Sequence, residues 1–282
     1  IAATAEAAGF YGLWVNEIVG ADALGMLAAA AEATTTLQLA TGVIPVDRRP
    51  GSNIAAQVTS LGLPADRLMI GIGSGKPGVG SLGRVEAAIA EIREATSARI
   101  LVGALGPRMR QLAAEKADGA LMSWLTPAVA ADQSAEFHEI APNGHVSLYA
   151  RTAVDAAGVP RRNAETDAYA GFPAYKANYA RLGMDPYGTL LPQPGDDSIA
   201  PGGAAYRASG IDELVLRAMT GGDDVEDYLR FTEQAGEAQD FAIMKREGGR
   251  THRLCHEIAD FEGDPRIGGD ANASPIINLQ TN

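Results

Sequence analysis

The chain has 282 residues, 46% of them hydrophobic, so it can bury a large core as one α/β barrel or as two domains. Its formal net charge of −12 argues against nucleic acid and anionic membranes as partners. The single cysteine excludes an internal disulfide framework, and no secretory signal or membrane-spanning run is visible. We therefore expect a cytoplasmic protein.

Apolar strands and helices alternate along most of the chain. The strands are short and continuously apolar, which is typical of parallel strands covered on both faces. Repeats of this kind build either a closed barrel or an open doubly wound sheet, and periodicity does not decide between them. The predicted strands are 12–15, 37–44, 68–72, 99–102, 120–122, 146–153 and 213–216. The predicted helices are 1–8, 22–33, 52–63, 83–95, 107–117, 127–140, 164–182 and 225–234.

The first predicted helix has no strand before it. Seven strands and this unpreceded helix suggest an α/β fold of the TIM type, a (β/α)8 barrel whose first strand is missing from the chain, and leave an open sheet as the alternative until the resemblance described below favours the barrel. Truncation at the amino end is one explanation. The other is that residues 275–279 supply a replacement strand beside residues 12–15, which would cover the edges of an open barrel.

Two segments depart from the alternation. Residues 185–210 are rich in Pro, Gly and Asp, so they are expected to form a long surface loop, either a lid or a disordered connector. The repeat ends near residue 238, which predicts a barrel domain over residues 1–238 and an atypical tail over 239–282. His252, Cys255 and His256 of the tail would share one helix face, but without a second ligand cluster we predict no metal site.

The turn at residues 103–106 carries the clearest functional signal. An apolar strand runs into Gly103, Ala104, Leu105 and Gly106, and a helix begins at Pro107. Glycine has no Cβ to block an approaching anion, and the start of a helix carries partial positive charge. The turn is therefore predicted to bind a phosphorylated ligand.

A second glycine-rich turn spans residues 71–78. Its glycine spacing matches the Rossmann fingerprint poorly, and the spacing ahead of Lys76 excludes a P-loop. The glycines either turn the chain at the end of a strand or line one face of a cofactor.

Several segments, taken in order, resemble the bacterial luciferase-like family of flavin- and deazaflavin-dependent oxidoreductases. The resemblance covers residues 1 to about 236 and implies a (β/α)8 barrel that holds FMN or coenzyme F420 at the carboxyl ends of its strands. The implied reaction is hydride transfer between the cofactor and a small organic substrate, or monooxygenation. Because the family often pairs its barrels through helices, a homodimer is also expected. The matching segments are EAAGFYGLWVNE (6–17), LATGVIP (39–45), DRLMIGIGSG (66–75), VGALGPRM (102–109) and ADGA (117–120).

The resemblance also implies roles for individual positions. Gly42 and Val43 match a bulge that supports the cofactor ring from behind and often contains a non-proline cis peptide bond. Gly73 and Gly75 would line the opposite side of the ring, and Ser123 would donate a hydroxyl hydrogen bond to the phosphate. The backbone amides of the 103–106 turn would contact the phosphate or the chain next to it.

The departures from the family pattern concern catalysis. Family members that dehydrogenate alcohols or sugar phosphates carry a histidine and a glutamate where this chain has Ile18 and Lys76. Asn16 and Glu17 are left as catalytic candidates, and Trp14 would lie near the ring or substrate. Reduction of a substrate or oxygen-dependent monooxygenation is therefore favoured over alcohol dehydrogenation. The alternative from another class is a barrel subunit that binds the cofactor without catalysis.

Overall fold

Short apolar strands form the centre of the molecule, as the sequence predicts. The computed structural model describes residues 1–76 and 78–238, together with the backbone of residues 253–258. The described strands are β1 (Gly12–Val15), β2 (Gln38–Thr41), β3 (Ile44–Pro45), β4 (Leu68–Gly73), β5 (Arg99–Gly103), β6 (Gly119–Ser123), β7 (His145–Thr152), β8 (Glu213–Ala218) and β9 (Arg253–Ile258).

The strands pair in parallel and close into a ring. Their order is β2-β1-β9-β8-β7-β6-β5-β4, and β4 pairs back onto β2. The two-residue β3 pairs with the end of β4. This arrangement confirms the predicted TIM-type barrel and rules out an open sheet.

The place of the missing first strand, between β1 and β8, is occupied by β9. Gly12 of β1 lies opposite Cys255, and Glu213 of β8 lies opposite Arg253. A segment from beyond residue 238 therefore completes the ring. The division into domains stays a prediction, and the run 275–279 lies outside the described residues.

The helix predicted around Cys255 is wrong. Cys255 and His256 lie in strand β9, so the helical spacing on which a shared ligand face depends does not apply. His252 lies outside the described residues. Among the residues whose side chains are described, no group of three His, Cys, Asp or Glu could hold a metal ion.

Helices cover the outside of the ring, and several begin at a proline in the first turn, where the missing N–H costs nothing. No helix in the described ranges is both long and apolar enough to cross a membrane. The helices are α1 (Ala2–Ala7), α2 (Ala23–Glu32), α3 (Gly51–Ser60), α4 (Ser81–Ala95), α5 (Pro107–Lys116), α6 (Pro127–Ile140), α7 (Val159–Gly171), α8 (Pro173–Leu182), α9 (Ala200–Ala208) and α10 (Val225–Glu237).

Two predicted elements differ from the structure. The predicted helix 164–182 is divided into α7 and α8, because Phe172 precedes a proline and adopts an extended conformation. The predicted loop 185–210 contains a 3₁₀ turn (Pro186–Thr189) and helix α9. Tyr206 of α9 is fully buried, and its hydroxyl lies 2.8 Å from the carbonyl oxygen of Leu125, so this segment is packed rather than a lid or a disordered connector.

The core has two layers. The larger lies between the strands and the helices, where α10, for example, buries Tyr228 and Phe231. The smaller fills the barrel itself, as expected for a TIM-type ring. Its members are Trp14, Ala40, Met69, Leu101, Leu121, Tyr149 and Val215.

Trp14 belongs to this interior layer rather than to a binding site. It is fully buried, and its indole Nε1 donates to Oε1 of Glu213 at 2.6 Å. Glu213, the first residue of β8, also accepts from the His145 ring at 2.6 Å and from the Ser147 hydroxyl at 2.9 Å. These bonds lie toward the amino ends of the strands, the end of a barrel that serves stability.

Candidate functional site

The carboxyl end of the barrel gathers most of the positions singled out from the sequence. Gly73, Gly103 and Ser123 are the last residues of β4, β5 and β6. Because adjacent parallel strands end at the same rim, these residues line one side of the barrel mouth.

The chain turns sharply between β2 and β3. The N–H of Gly42 donates to the carbonyl oxygen of Val15 at 2.6 Å, and a Cβ at Gly42 would overlap Oδ1 of Asn16. Only glycine fits there, and this is where the predicted strand 37–44 divides. The Gly42–Val43 peptide is trans, so a cis bond there is wrong; among the described residues the one cis bond is Leu191–Pro192.

Val43 forms an exposed apolar surface at this mouth. The side chain lies beside Gly73 and Gly103, where an added Cβ would come within 3.2 Å of Val43 Cβ and 2.5 Å of Val43 Cγ1 respectively. Val43 nevertheless keeps 38% of its surface exposed. The two glycines therefore allow the valine to lie across the ends of two strands and present its free face outward.

Gly75 has a different environment. Its φ of +66° lies in the left-handed region, and a Cβ there would overlap the carboxylate of Asp47. The same carboxylate accepts from the backbone N–H of Lys76 at 2.8 Å. These contacts give Gly75 a role in holding the turn after β4.

The predicted anion-binding turn leads from β5 into α5. The N–H of Ala104 donates to the carbonyl oxygen of Leu121 at 3.0 Å, which ties the turn to β6. Gly106 is the residue before the first turn of α5 and has an extended backbone, with φ −107° and ψ 162°. A Cβ at Gly106 would meet no atom within 4 Å, so this face of the turn is open.

Ser123 is part of a charged network that the sequence did not predict. Nη1 of Arg151, on β7, donates to Oγ of Ser123, and Nε of Arg151 donates to Oε1 of Glu165 at 2.9 Å. Arg217, on β8, donates to both oxygens of Glu165. Glu165 lies on α7 and is fully buried.

The two arginines decide the ionisation of Glu165. Burial alone would raise the pKa of this carboxyl, but the adjacent charges of Arg217 and Arg151 lower the pKa from 4.5 to about 2. Glu165 is therefore ionised at neutral pH and holds both guanidinium groups in place.

Aromatic rings surround Arg151. Its guanidinium carbon lies 3.8 Å from the ring centroid of Trp124 and 5.2 Å from that of Tyr169. Tyr179 packs edge-on against Trp124 with 6.4 Å between ring centroids. Trp124 has a φ of 60°, and in the described chain it is the one residue other than glycine with a positive φ.

The catalytic candidates lie at another part of the same rim, just after β1. Oε1 of Glu17 accepts from Nη1 of Arg49 at 2.7 Å, and Oε2 accepts from the N–H of Ala23 at 3.0 Å. Glu17 therefore stabilises the start of α2. Residues around it line an open cavity of about 600 Å³: Glu17, Ile18, Val19, Ala21, Asp22, Pro45, Arg48, Arg49, Asn53 and Gln57.

The structure thus separates the predicted residues into groups. Val43 contacts the positions of Gly73 and Gly103, and Asn16 contacts Gly42. Glu17 belongs to the cavity beside α2, whose lining includes none of the predicted glycines. Sequence reasoning missed Arg151 and Arg217, although Arg151, a charged residue inside the apolar predicted strand 146–153, was a signal that could have been used.

The fold and the residues at the carboxyl end of the barrel together define the class to which the protein belongs. The chain is a closed parallel barrel of the TIM type, whose carboxyl rim carries glycine-ended strands, the open turn before α5 and a buried arginine pair. In barrels of this type the active site lies at that rim.

The comparison with known families agrees with this description. The family model for luciferase-like monooxygenases matches residues 1–98, which confirms the resemblance to the bacterial luciferase-like family. No curated protein sequence matches the chain.

Solved structures share the fold. The coenzyme F420-dependent tetrahydromethanopterin reductase from Methanopyrus kandleri is 17% identical with a TM-score of 0.59, covering 83% of this chain and 92% of its own. An F420-dependent secondary alcohol dehydrogenase bound to an F420–acetone adduct is 14% identical with a TM-score of 0.61, covering 84% and 92%. The FMN-bound oxygenating constituent of 3,6-diketocamphane monooxygenase from Pseudomonas putida is 14% identical with a TM-score of 0.58, covering 84% and 89%.

Proposed function

We propose that this chain is an oxidoreductase or monooxygenase that uses coenzyme F420 or FMN and acts on a small organic substrate. The observation that carries the proposal is Val43, an apolar side chain that lies over Gly73 and Gly103 and stays 38% exposed at the barrel mouth. Such a surface suits the face of a planar ring, and the family match and the cofactors named for the similar structures support the same reading.

The donor set at the rim fits the phosphate of either cofactor. The open face of Gly106 leaves room beside the amides of the 103–106 turn, and the start of α5 favours an anion there. Ser123 adds a hydroxyl from the next strand. Val43 would support the ring while the turn fixes the far end of the molecule, and the bound cofactor supplies the hydride chemistry.

The environment of Glu17 bears on the reaction type. Each of its carboxylate oxygens already accepts a hydrogen bond, one from Arg49 and one from the start of α2. A general base must reach the proton it removes. We therefore favour substrate reduction or monooxygenation, reactions for which Glu17 and Asn16 need not remove a proton from an alcohol.

The test is a binding titration of FMN and of F420 against the wild-type chain and the Gly106→Phe variant. The backbone of Gly106 suits any residue and its Cβ direction is open, so the variant should fold while its side chain fills the space beside the turn. We expect micromolar binding of one cofactor and a loss of roughly tenfold or more in the variant.

A matched control is Glu115→Phe, which places the same ring on the exposed far end of α5. Its affinity should equal that of the wild type. If neither cofactor binds, or if Gly106→Phe binds as tightly as the wild type, the proposed site is wrong. Binding without turnover with any reductant would instead favour the non-catalytic subunit.

We also propose a cytoplasmic location and a homodimer. The single cysteine suits a reducing compartment, and the resemblance supports pairing of barrels through their helices. Light scattering of the purified chain would test the oligomeric state.

A further inference from the structure

We propose that the cavity beside α2 is the substrate pocket, and that the substrate is a small organic acid whose carboxylate binds to Arg48. That the occupant is a substrate rests on the proposed function. The cavity, of about 600 Å³, falls within the range of pockets that hold small ligands. The polar groups of its lining that lack partners select the ligand.

The two carboxylates of the lining already have donors. One oxygen of Glu17 accepts from Arg49 and the other from the N–H of Ala23. Asp22 accepts from Nε2 of Gln57, and its other oxygen lies 3.5 Å from Nη1 of Arg49. Neither carboxylate is therefore left to attract a cationic ligand.

The side chains of Arg48 and Asn53 are the unpaired polar groups of the cavity. Both are exposed, and within the described ranges neither side chain makes a hydrogen bond or an ion pair. A guanidinium has five N–H donors and no acceptor, in a planar fork that matches a carboxylate. Since Arg49 already pairs with two carboxylates, Arg48 is the cation that remains for an anionic ligand.

The loop that carries Arg48 is held on both sides. The N–H groups of Arg48 and Arg49 each donate to the carbonyl oxygen of Pro45 at 3.0 Å. Asp47, the residue before Arg48, accepts from the N–H of Lys76 at 2.8 Å, and Arg49, the residue after it, is tied to the loop between β1 and α2. The backbone at Arg48 is therefore fixed before a ligand arrives, which lowers the entropy cost of binding.

The start of α3 supports binding of an anion in the same cavity. Asn53 lies in the first turn of α3, and this turn contains no acidic residue. The N-terminal turn of a helix carries partial positive charge, so it favours a nearby carboxylate. The side-chain amide of Asn53 can donate a second hydrogen bond beside the guanidinium of Arg48.

The remaining part of the lining is apolar. It consists of Ile18, Val19, Ala21 and Pro45. Val19 is a large apolar residue that keeps 57% of its surface exposed, so a ligand with an apolar body would cover it favourably. The lining therefore suits a molecule that has an apolar body and one carboxylate.

The cavity adjoins the surface that is proposed for the cofactor ring. Ile44 is fully buried in the layer between the strands and the helices. Because consecutive residues of an extended chain alternate faces, its neighbours Val43 and Pro45 both project to the other side. Pro45 lines the cavity and Val43 lies at the barrel mouth, so an acid held by Arg48 has its apolar body next to the ring.

The experiment titrates hexanoate and hexanamide, its uncharged analogue, into the full-length wild type and the Arg48→Gln variant by calorimetry. The ratio of the two affinities isolates the contribution of the carboxylate. We expect the wild type to bind hexanoate roughly tenfold more tightly than hexanamide, and Arg48→Gln to lower this ratio about fivefold or more. Asn53→Ala should lower it less, and added salt should lower it in the wild type because Arg48 is exposed.

Butanoate tests the apolar part of the pocket. Its affinity should be lower than that of hexanoate by about threefold or more for each missing methylene group. This difference should be the same in the wild type and in Arg48→Gln, since the substitution removes only the charge.

Arg93→Gln is the matched control. Arg93 is an exposed arginine in the last turn of α4, just before the amino end of β5, so it lies far from the barrel mouth. Its removal changes the net charge as Arg48→Gln does and should leave the ratio unchanged.

A second set of titrations uses the chain loaded with FMN and separates the two proposals. Hexanoate should shift the absorption spectrum of the bound flavin, because its body lies next to the ring. An unchanged spectrum at saturating hexanoate would overturn the substrate role. If neither FMN nor F420 binds while hexanoate still depends on Arg48, the acid site stands and the substrate role falls with the proposed function. If a cofactor binds but hexanoate does not, or if Arg48→Gln keeps the wild-type ratio, the proposed function stands and the acid site is overturned.

Discussion

Glu165 shows how a single side chain can organise the mouth of this barrel. It is fully buried, and it accepts hydrogen bonds from arginines on two neighbouring strands. Such a charge network is costly to assemble but still more costly to break, because removing one partner leaves buried charge without compensation. We therefore place Glu165 among the residues that position Arg151 rather than among those that touch a ligand.

Replacing Glu165 by Gln should lower the free energy of unfolding by about 3 kcal/mol, since Arg151 and Arg217 would lose their counter-charge. Urea unfolding at neutral pH measures the change. Glu115→Gln, on the exposed face of α5, should change the stability by less than about 0.5 kcal/mol. Equal stabilities of the two variants would contradict the role of Glu165.

The same substitution should also change how the free energy of unfolding depends on pH. The pKa of Glu165 is lowered from 4.5 to about 2 in the folded chain, so its contribution is fully present above pH 4.5 and is lost as the pH falls toward 2. Over this pH interval, the difference in free energy of unfolding between the wild type and Glu165→Gln should therefore decrease. Glu6, whose pKa is also lowered to about 2 by bonds from Thr36 and its neighbours, titrates identically in both proteins and cancels in the difference.

At this scale the sequence predicted several residues but not their contacts. The resemblance pointed to Ser123, but not to Arg151 or Glu165, which complete its environment. Gly42 and Asn16 were both singled out, but not their close approach. These contacts join different strands and helices. Periodicity describes which face of an element is buried, and it contains no information on which side chains from separate elements meet.

The start of helix α2 is where a structural role of Glu17 can be distinguished from a catalytic one. Asp22 precedes the helix without a side-chain cap bond, and Glu17 instead accepts from the N–H of Ala23. A carboxylate at this position satisfies a free donor and interacts favourably with the helix dipole.

Glu17→Ala should therefore lower the free energy of unfolding by about 1 to 2 kcal/mol, the usual cost of losing a cap. Thermal or urea unfolding, run beside a cofactor titration, measures it. Asp132→Ala, on the exposed side of α6, serves as a control that loses a carboxylate without a described partner. A normal stability with abolished turnover would instead identify Glu17 as a catalytic residue.

Elements were predictable where apolar residues repeat with a clear period. Helix α6 has the predicted limits Pro127–Ile140, because a proline starts it and Thr126 caps it. Helix α9 was missed, because Pro201, Gly202 and Gly203 made its sequence look like a loop. Both glycines are buried, and Gly202 lies against Leu191 and Gln193 of the preceding segment, so tertiary packing overrides the local preference.

For the whole molecule, β9 decides whether the ring is closed. It pairs with β1 over four positions and with β8 over five. The sequence predicted a barrel of eight strands that lacks its first, and it left truncation or a replacement strand at residues 275–279 as the explanations, not residues 253–258. A strand whose composition differs from that of the repeat gives no periodic signal. Only its pairing with neighbouring strands shows where it lies in the ring.

Ending the chain after Ala238 should expose the facing edges of β1 and β8. We expect a lower free energy of unfolding and faster hydrogen exchange of the amides in Gly12–Val15 and Glu213–Ala218. A chain that ends after Ile258 keeps the pairing and is the control. Equal protection in the two truncated chains would show that β9 does not contribute to closure.

The position of β9 also has a consequence for biosynthesis. Among the described strands it leaves the ribosome last, yet its neighbours in the ring include β1, the earliest. Until β9 has been synthesised, a nascent chain that already contains β8 is an open barrel in which one edge of β1 and one edge of β8 are unpaired. Such a state is prone to aggregation and to binding by chaperones. The rate at which the residues between β8 and β9 are translated should therefore affect the yield of folded protein.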